Sequence, residues 1–262
     1  MDILIPILSL GALGLLFGMG LALASKKLAV ETDHRLDKIM GLLPGSNCGA
    51  CGGAGCFGFA EAVLSGKIKI DKCRVSSDAA KEEIAEILGR KLEKDLKKIA
   101  VLYCNGGIKV KDRFLYQGIE DCAAANLVLG GQKECVWGCL GFGDCAKVCP
   151  FDAIKMSNEG LPLVDKNKCK ACNKCVLACP KKLFSLVPLT HNVYVACDSH
   201  DLGKDTIAVC PVGCIACYKC EKICPVDAIH VIDNLAIIDY NKCTSCGKCV
   251  EVCPTKCIRR RE

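Results

Sequence analysis

The chain has 262 residues, 25 of them cysteine and only four histidine, and a formal net charge of +6. A cysteine share this high in a short secreted protein would mean a disulfide scaffold, but this chain is too long, 51% hydrophobic and odd in its cysteine count. Scarce histidine argues against mixed Cys/His zinc fingers, and no C-x-x-C-H run offers covalent haem attachment, so thiolate-bound metal is what remains.

Ile3 to Ala24 carry no charge, and a helix of that length reaches roughly 33 Å, enough to cross a bilayer core. A cleavable signal peptide is the alternative, since Ala22-Leu23-Ala24 offers an A-x-A pattern. Against it, Met1-Asp2 lacks a positive n-region, and the positive charges follow, at Lys26 and Lys27. The positive-inside rule makes residues 1–27 a single-pass anchor in the inner (cytoplasmic) membrane, with the rest in the cytoplasm. Thiols stay reduced there and free for metal. Gly14, Gly18 and Ala22 form one small-residue stripe that lets another membrane helix approach.

Residues 28–76 read as a small α-rich domain. A helix is expected over Val30 to Leu43, with Leu36, Ile39, Met40 and Leu43 on one face and Pro44-Gly45 as its stop. Then come Cys48, Cys51, Cys56 and Cys73, with glycines at 49, 52, 53 and 55 that let backbone amides crowd a cluster. Four cysteines closing on themselves suggest a self-contained [4Fe–4S] site, structural zinc being the alternative. Phe57 to Leu64 reads as a short helix. Residues 77–121 form a helix–strand connecting region: Ser77 caps a helix expected over Asp78 to Lys98, and Ile99 to Tyr103 reads as a strand ended by Asn105-Gly106-Gly107.

From Cys122 the chain repeats. Cys122, Cys135, Cys139, Cys145 and Cys149-Pro150 recur 75 residues later as Cys197, Cys210, Cys214, Cys220 and Cys224-Pro225, which points to a duplicated unit, 122–190 and 191–262. Three full C-x2-C-x2-C-x3-C-P runs lie in it: Cys169, Cys172, Cys175, Cys179; Cys214, Cys217, Cys220, Cys224; and Cys243, Cys246, Cys249, Cys253. In this run three cysteines hold one cubane and the fourth reaches the other cluster of a pair. Cys214, Cys217 and Cys220 therefore take Cys253; Cys243, Cys246 and Cys249 take Cys224; Cys169, Cys172 and Cys175 take Cys149. The fourth site is irregular, because Phe142 stands where the second repeat has Cys217. Cys139, Cys145 and Cys179 remain, and Cys135 is the nearest candidate for the open corner, with Cys210 read as non-ligating. Hairpins are expected at Ile154–Met156 with Leu163–Asp165 and at Ile229–Val231 with Ala236–Ile238. Cys104, Cys122, Cys197, Cys210 and Cys257 are left without a role.

The count is then about five [4Fe–4S] clusters, with zinc in four-cysteine sites as the alternative that spacing alone leaves open. At about −2 each, five clusters would take the chain from +6 to about −4. Basic surface for an acidic partner is then local, first at 91–98 and 166–174. No nucleotide fingerprint and no Ser/His/Asp or paired-acid constellation stands out, so no catalytic residue, nucleotide site or substrate site of its own is expected, and no nucleic-acid partner.

An anchor, an NCGACGGAGC domain (47–56) and a duplicated region carrying CVWGCLGFGDCAKVCPFDAI (135–154) and GCIACYKCEKICPVDAI (213–229) resemble, in that order, the B subunit of the Rnf complex. Having Cys135 and Cys139 ahead of Cys145 is similar to the longer, two-unit type of that protein. The resemblance implies an electron-transfer subunit of a membrane translocase that oxidises reduced ferredoxin, reduces NAD⁺ and moves Na⁺ or H⁺. Its partners would be soluble ferredoxin and the other membrane subunits, which would hold the flavin and NAD sites. A membrane-tethered polyferredoxin serving a soluble dehydrogenase is the alternative. The expected fold class is α+β: one transmembrane helix, a small cluster domain and two ferredoxin-like 2×[4Fe–4S] units.

Overall fold

The computed structural model describes residues 4–27, 33–92 and 96–261. Helix α1 spans Leu4–Lys27, with Lys26 and Lys27 in its last turn. Its stretch Ile7–Lys27 has mean hydropathy 2.2 and none of it is buried within the chain. Leucines on every side of it face outward, which in water would be unfavourable and in a bilayer is not.

Helix α2 (His34–Leu42) starts where Asp33 accepts from the Arg35 N–H; the expected residues 30–32 lie outside the described ones. Helix α3 spans Gly55–Leu64 and α4 spans Asp78–Leu88, the latter capped by Ser77 through the Ala80 N–H. Helix α4 ends ten residues before the expected Lys98, because Gly89 turns left-handed (φ 62°) and caps the helix with bonds to Ala85 and Glu86. Leu36, Ile39, Phe59, Val63 and Ile84 share one core, so α4, assigned by sequence to the connecting region, packs with the first cluster domain.

The remaining elements build two units of the same plan. The first has β1 (Lys98–Leu102), α5 (Cys122–Leu127), α6 (Asp144–Lys147), β2 (Ile154–Met156), β3 (Pro162–Val164), α7 (Lys174–Ala178) and β4 (Phe184–Pro188). The second has β5 (Val193–Val195), α8 (Gly203–Val209), α9 (Lys219–Ile223), β6 (Ile229–Ile232), β7 (Leu235–Ile238), α10 (Lys248–Val252) and β8 (Ile258–Arg260). Both hairpins form, the first with its second strand one residue earlier than expected, at Pro162–Val164: Ile154 pairs Val164 and Ile229 pairs Ile238, antiparallel. The first and last strands of each unit also pair antiparallel, Ala100 with Leu186 in β1–β4 and Tyr194 with Arg259 in β5–β8.

The strand placed by sequence in the connecting region therefore belongs to the sheet of the first unit. It is buried on both faces, as its continuous run Ile99-Ala100-Val101-Leu102 requires. Ala100 and Leu102 face the cysteines of their own unit. Ile99 and Val101 pack with Val187 against Tyr194 and Tyr240 of the second unit. The two units thus meet along an apolar seam.

Candidate iron–sulfur centres

Each regular run is a tight loop leading into a helix of five residues. On either side of its middle cysteine sits a residue with left-handed backbone: Ala171 and Asn173 around Cys172, Ala216 and Tyr218 around Cys217, Ser245 and Gly247 around Cys246. Interleaving left-handed residues is how a chain gathers N–H groups into an anion-binding nest. Alanine, asparagine, tyrosine and serine take that conformation only where the surroundings hold it. The second device follows each fourth cysteine. Asp152, Lys182 and Asp227 are left-handed, which turns the next N–H back onto sulfur: Ala153 to Cys149 Sγ at 3.4 Å, Leu183 to Cys179 at 3.4 Å and Ala228 to Cys224 at 3.2 Å. Such bonds stabilise thiolate and tune a bound cluster.

These loops bring three of the expected foursomes around cavities. Cys149, Cys169, Cys172 and Cys175 line one of about 320 Å³; Cys224, Cys243, Cys246 and Cys249 line one of about 350 Å³. Cys48, Cys51, Cys56 and Cys73 line a third, of about 320 Å³. There Asn47 accepts from the Cys56 N–H at 2.8 Å. Gly53 has no room for a side chain, since a Cβ would stand 2.7 Å from the Phe59 nitrogen. In the second unit Cys214, Cys220 and Cys253 share one core, with Cys217 exposed beside it. Cys257 is buried in the same core, 3.5 Å from Cys253 Sγ. It stands where the other runs have Ala153, Leu183 and Ala228, and its thiol is hydrogen-bonded to both Cys253 and Cys214.

Burial is the leading influence on these thiols and pushes Cys175 and Cys220 up to about 12 and Cys249 up to about 11, with neighbouring cysteines adding repulsion. Four such groups cannot ionise together without cations among them. Yet no three Cys, His, Asp or Glu side chains among the described residues converge on the position of a single ion. Four thiolates around a cavity of this size are the donor set of a cubane, which offers each thiolate its own iron. The donor sets fit [4Fe–4S] clusters.

The irregular site departs from the sequence expectation. Gly141 and Gly143 keep the two left-handed positions, at φ 87° and 79°, so the nest survives although Phe142 replaces the middle cysteine. Cys135, expected at the open corner, lies in an apolar cluster with Cys210 and Val110 and lines one cavity with Cys104, Cys139, Cys197 and Cys210. Cys122 lies near both Cys139 and Cys145 and repels a charge on either, Cys104 repels a charge on Cys139 more strongly, and Cys179 also faces Cys145. Cys122 opens α5, and its N–H donates to Asp144 Oδ2 at 2.9 Å, as does that of Ala123 at 3.2 Å. Asp144 directly precedes Cys145, so one carboxylate ties the incoming cysteine to the loop that lacks one.

The groups also stand in succession. Cys172 of the first unit is near enough to Cys48 to feel its charge, and Cys145 to feel that of Cys175. At the far end Cys214 faces Cys253, and Cys249 faces Cys224.

Three family models match: one described as "Putative Fe-S cluster" over residues 43–75, a 4Fe-4S dicluster domain over 168–228 and a 4Fe-4S binding domain over 236–259. The chain is 45% identical to the B subunit of the Na⁺-translocating ferredoxin:NAD⁺ oxidoreductase complex of Acetobacterium woodii, across 98% of this chain and 77% of that protein. It is 40% identical to the B subunit of an ion-translocating oxidoreductase complex of Methanosarcina acetivorans, across 89% of each. It is also 40% identical to the corresponding protein of a proton-translocating ferredoxin:NAD⁺ oxidoreductase complex of Clostridium ljungdahlii, across 88% of this chain and 82% of that one.

Proposed function

Since this chain belongs to the B-subunit family of ion-translocating ferredoxin:NAD⁺ oxidoreductase (Rnf) complexes, we propose that its cysteine sets form one electron path running from a ferredoxin-facing tip to the membrane. The chain is an iron–sulfur electron-transfer subunit of such a complex, membrane-associated and carrying [4Fe–4S] clusters. When bound, these clusters supply one-electron chemistry. The protein's part is to hold them in order, bury them, and aim N–H groups at their sulfurs.

The succession of thiol groups is the observation that carries this reading. Cys48, Cys51, Cys56 and Cys73 sit next after the anchor and nearest the membrane. Cys149, Cys169, Cys172 and Cys175 follow, then Cys122, Cys139, Cys145 and Cys179, with Cys122 taking the corner that sequence had offered to Cys135. The second unit adds Cys214, Cys217, Cys220 and Cys253, and Cys224, Cys243, Cys246 and Cys249. Exposed Cys217 and Cys246 mark it as the entry for soluble ferredoxin, and exposed Lys219, Lys242 and Lys248 stand beside them to attract an acidic donor. The stretch 166–174 lies inside the path and serves it less directly. The cluster domains lie on the cytoplasmic side of the inner membrane, and electrons leave at the N-terminal set toward membrane-embedded subunits.

Cys172, between the N-terminal set and the rest, tests the order. In membranes carrying the complex, Cys172→Ser should lower ferredoxin-dependent NAD⁺ reduction more than tenfold, while the second unit still takes electrons from ferredoxin. An unchanged NAD⁺ rate would overturn the path.

A further inference from the structure

We propose that Cys104, Cys135, Cys197 and Cys210 hold a further [4Fe–4S] cluster at the seam between the two ferredoxin units, joining their two halves of the electron path. The proposal rests on the path described above and adds a site to it.

These four cysteines line one cavity, of about 440 Å³, comparable in size to the 320–350 Å³ cavities of the three sets above. Each unit contributes two of them, from matching places. Cys104 comes two residues after β1 and Cys197 two residues after β5. Cys104 Sγ accepts from the Cys139 N–H at 3.4 Å, and Cys197 Sγ accepts from the Cys214 N–H at 3.2 Å. Cys139 and Cys214 are the opening cysteines of equivalent loops. Cys135 and Cys210 stand four residues before them, each starting the same tight turn: Gly138 N–H to the Cys135 carbonyl at 3.1 Å, and Gly213 N–H to that of Cys210 at 3.2 Å.

The two pairs face each other. A Cβ added at Gly106 would lie 3.6 Å from Cys210 Sγ and 3.8 Å from Cys104 Sγ, so sulfurs of different units flank one backbone position. Trp137 of the first unit packs edge-on against His200 of the second at 5.1 Å, closing the seam beside them. All four thiols are free, yet no three of them converge on one ion. Four thiolates around one cavity, two from each unit, are the donor set of a cubane, one thiolate to each iron.

The location supplies what the path otherwise lacks. Cys139 ends the first unit's sets on this side and Cys214 begins those of the second, and each donates its N–H to a sulfur of the seam. Electrons cross one at a time: the site gains one from one unit and gives one to the other, with no bond to any substrate made or broken.

Native mass spectrometry of the anaerobically purified full chain, with iron and acid-labile sulfide analysis, tests this. The wild type should carry about 24 irons, one cubane beyond five. Cys104→Ser, Cys135→Ser, Cys197→Ser and Cys210→Ser should each lose the same four, and equal loss in the last pair is required by the shared site. If a variant does not fold, the wild-type mass decides alone. Five cubanes with a vacant or zinc-loaded seam, or variants that keep every iron, would overturn the proposal and leave the five-set path standing. Eight irons or fewer in the wild type would instead overturn the ferredoxin-unit reading, and this site with it.

Discussion

Asp144→Ala should unseat Cys122 without touching any cysteine. Asp144 is 8% exposed, and its Oδ2 receives the first two N–H groups of α5 at 2.9 and 3.2 Å. A hydrogen bond to a charged group contributes about 1.5–3 kcal/mol, but one oxygen shares both donors and water can reach part of the opened helix end. A loss of about 2–4 kcal/mol is the reasonable sum, equivalent to roughly 30- to 900-fold easier opening. Little else holds α5: Ala125 is buried, but Leu127 is 87% exposed, and Asp121 caps only the Ala124 N–H. Iron analysis of Asp144→Ala should therefore show four fewer irons per chain than wild type, and amide exchange should accelerate at residues 122–125. Asp144→Asn, which keeps an acceptor and loses the charge, should fall between. If Asp144→Ala keeps all its iron and its exchange protection, the carboxylate does not position Cys122.

Phe59, 1% exposed in the core shared by α2, α3 and α4, should cost about 3–5 kcal/mol when replaced by alanine, seen as earlier thermal loss of the N-terminal set's absorbance while the ferredoxin units persist. Cluster retention should depend on pH. Burial holds Cys175 and Cys220 near 12 and Cys249 near 11 in the cluster-free protein, above the ordinary thiol range, so protons compete with iron throughout the neutral range. Lowering pH from 9 to 6 should speed chelator-driven bleaching, and a flat profile would contradict the assigned burial. Deleting residues 1–27, of which the apolar stretch Ile7–Lys27 is unburied within the chain, should move the chain from the membrane pellet to the soluble fraction with its iron count intact.

The regular runs were legible because their ligands are local. Three cysteines at two-residue intervals, followed by Cys-Pro, force one loop geometry whatever surrounds them, and both hairpins lie between such runs. Helix α4 was overextended because Leu92 and Leu96 continue its apolar stripe, while the left-handed cap at Gly89 outweighs periodicity. Strand β1 was found, but its partner β4 lies more than 80 residues away, and no local pattern names such a partner.

The irregular cysteines show where sequence ran out. Cys122 and Cys197 keep the 75-residue offset by coincidence of number. The true counterpart of Cys197 is Cys104, which stands 31 residues before Cys135 where Cys197 stands only 13 before Cys210. An insertion in the first unit hides the correspondence, and it is this insertion that carries Cys122, the ligand proposed for the corner where Phe142 stands. Sequence alone showed a long apolar N-terminal stretch, a recurring cysteine pattern and a chain built on thiolates, because spacing within a loop dictates which neighbouring sulfurs can share a cluster. Only the tertiary structure decided which distant cysteines meet, because ligands drawn from an insertion or across a seam between units are joined by packing and leave no spacing to read.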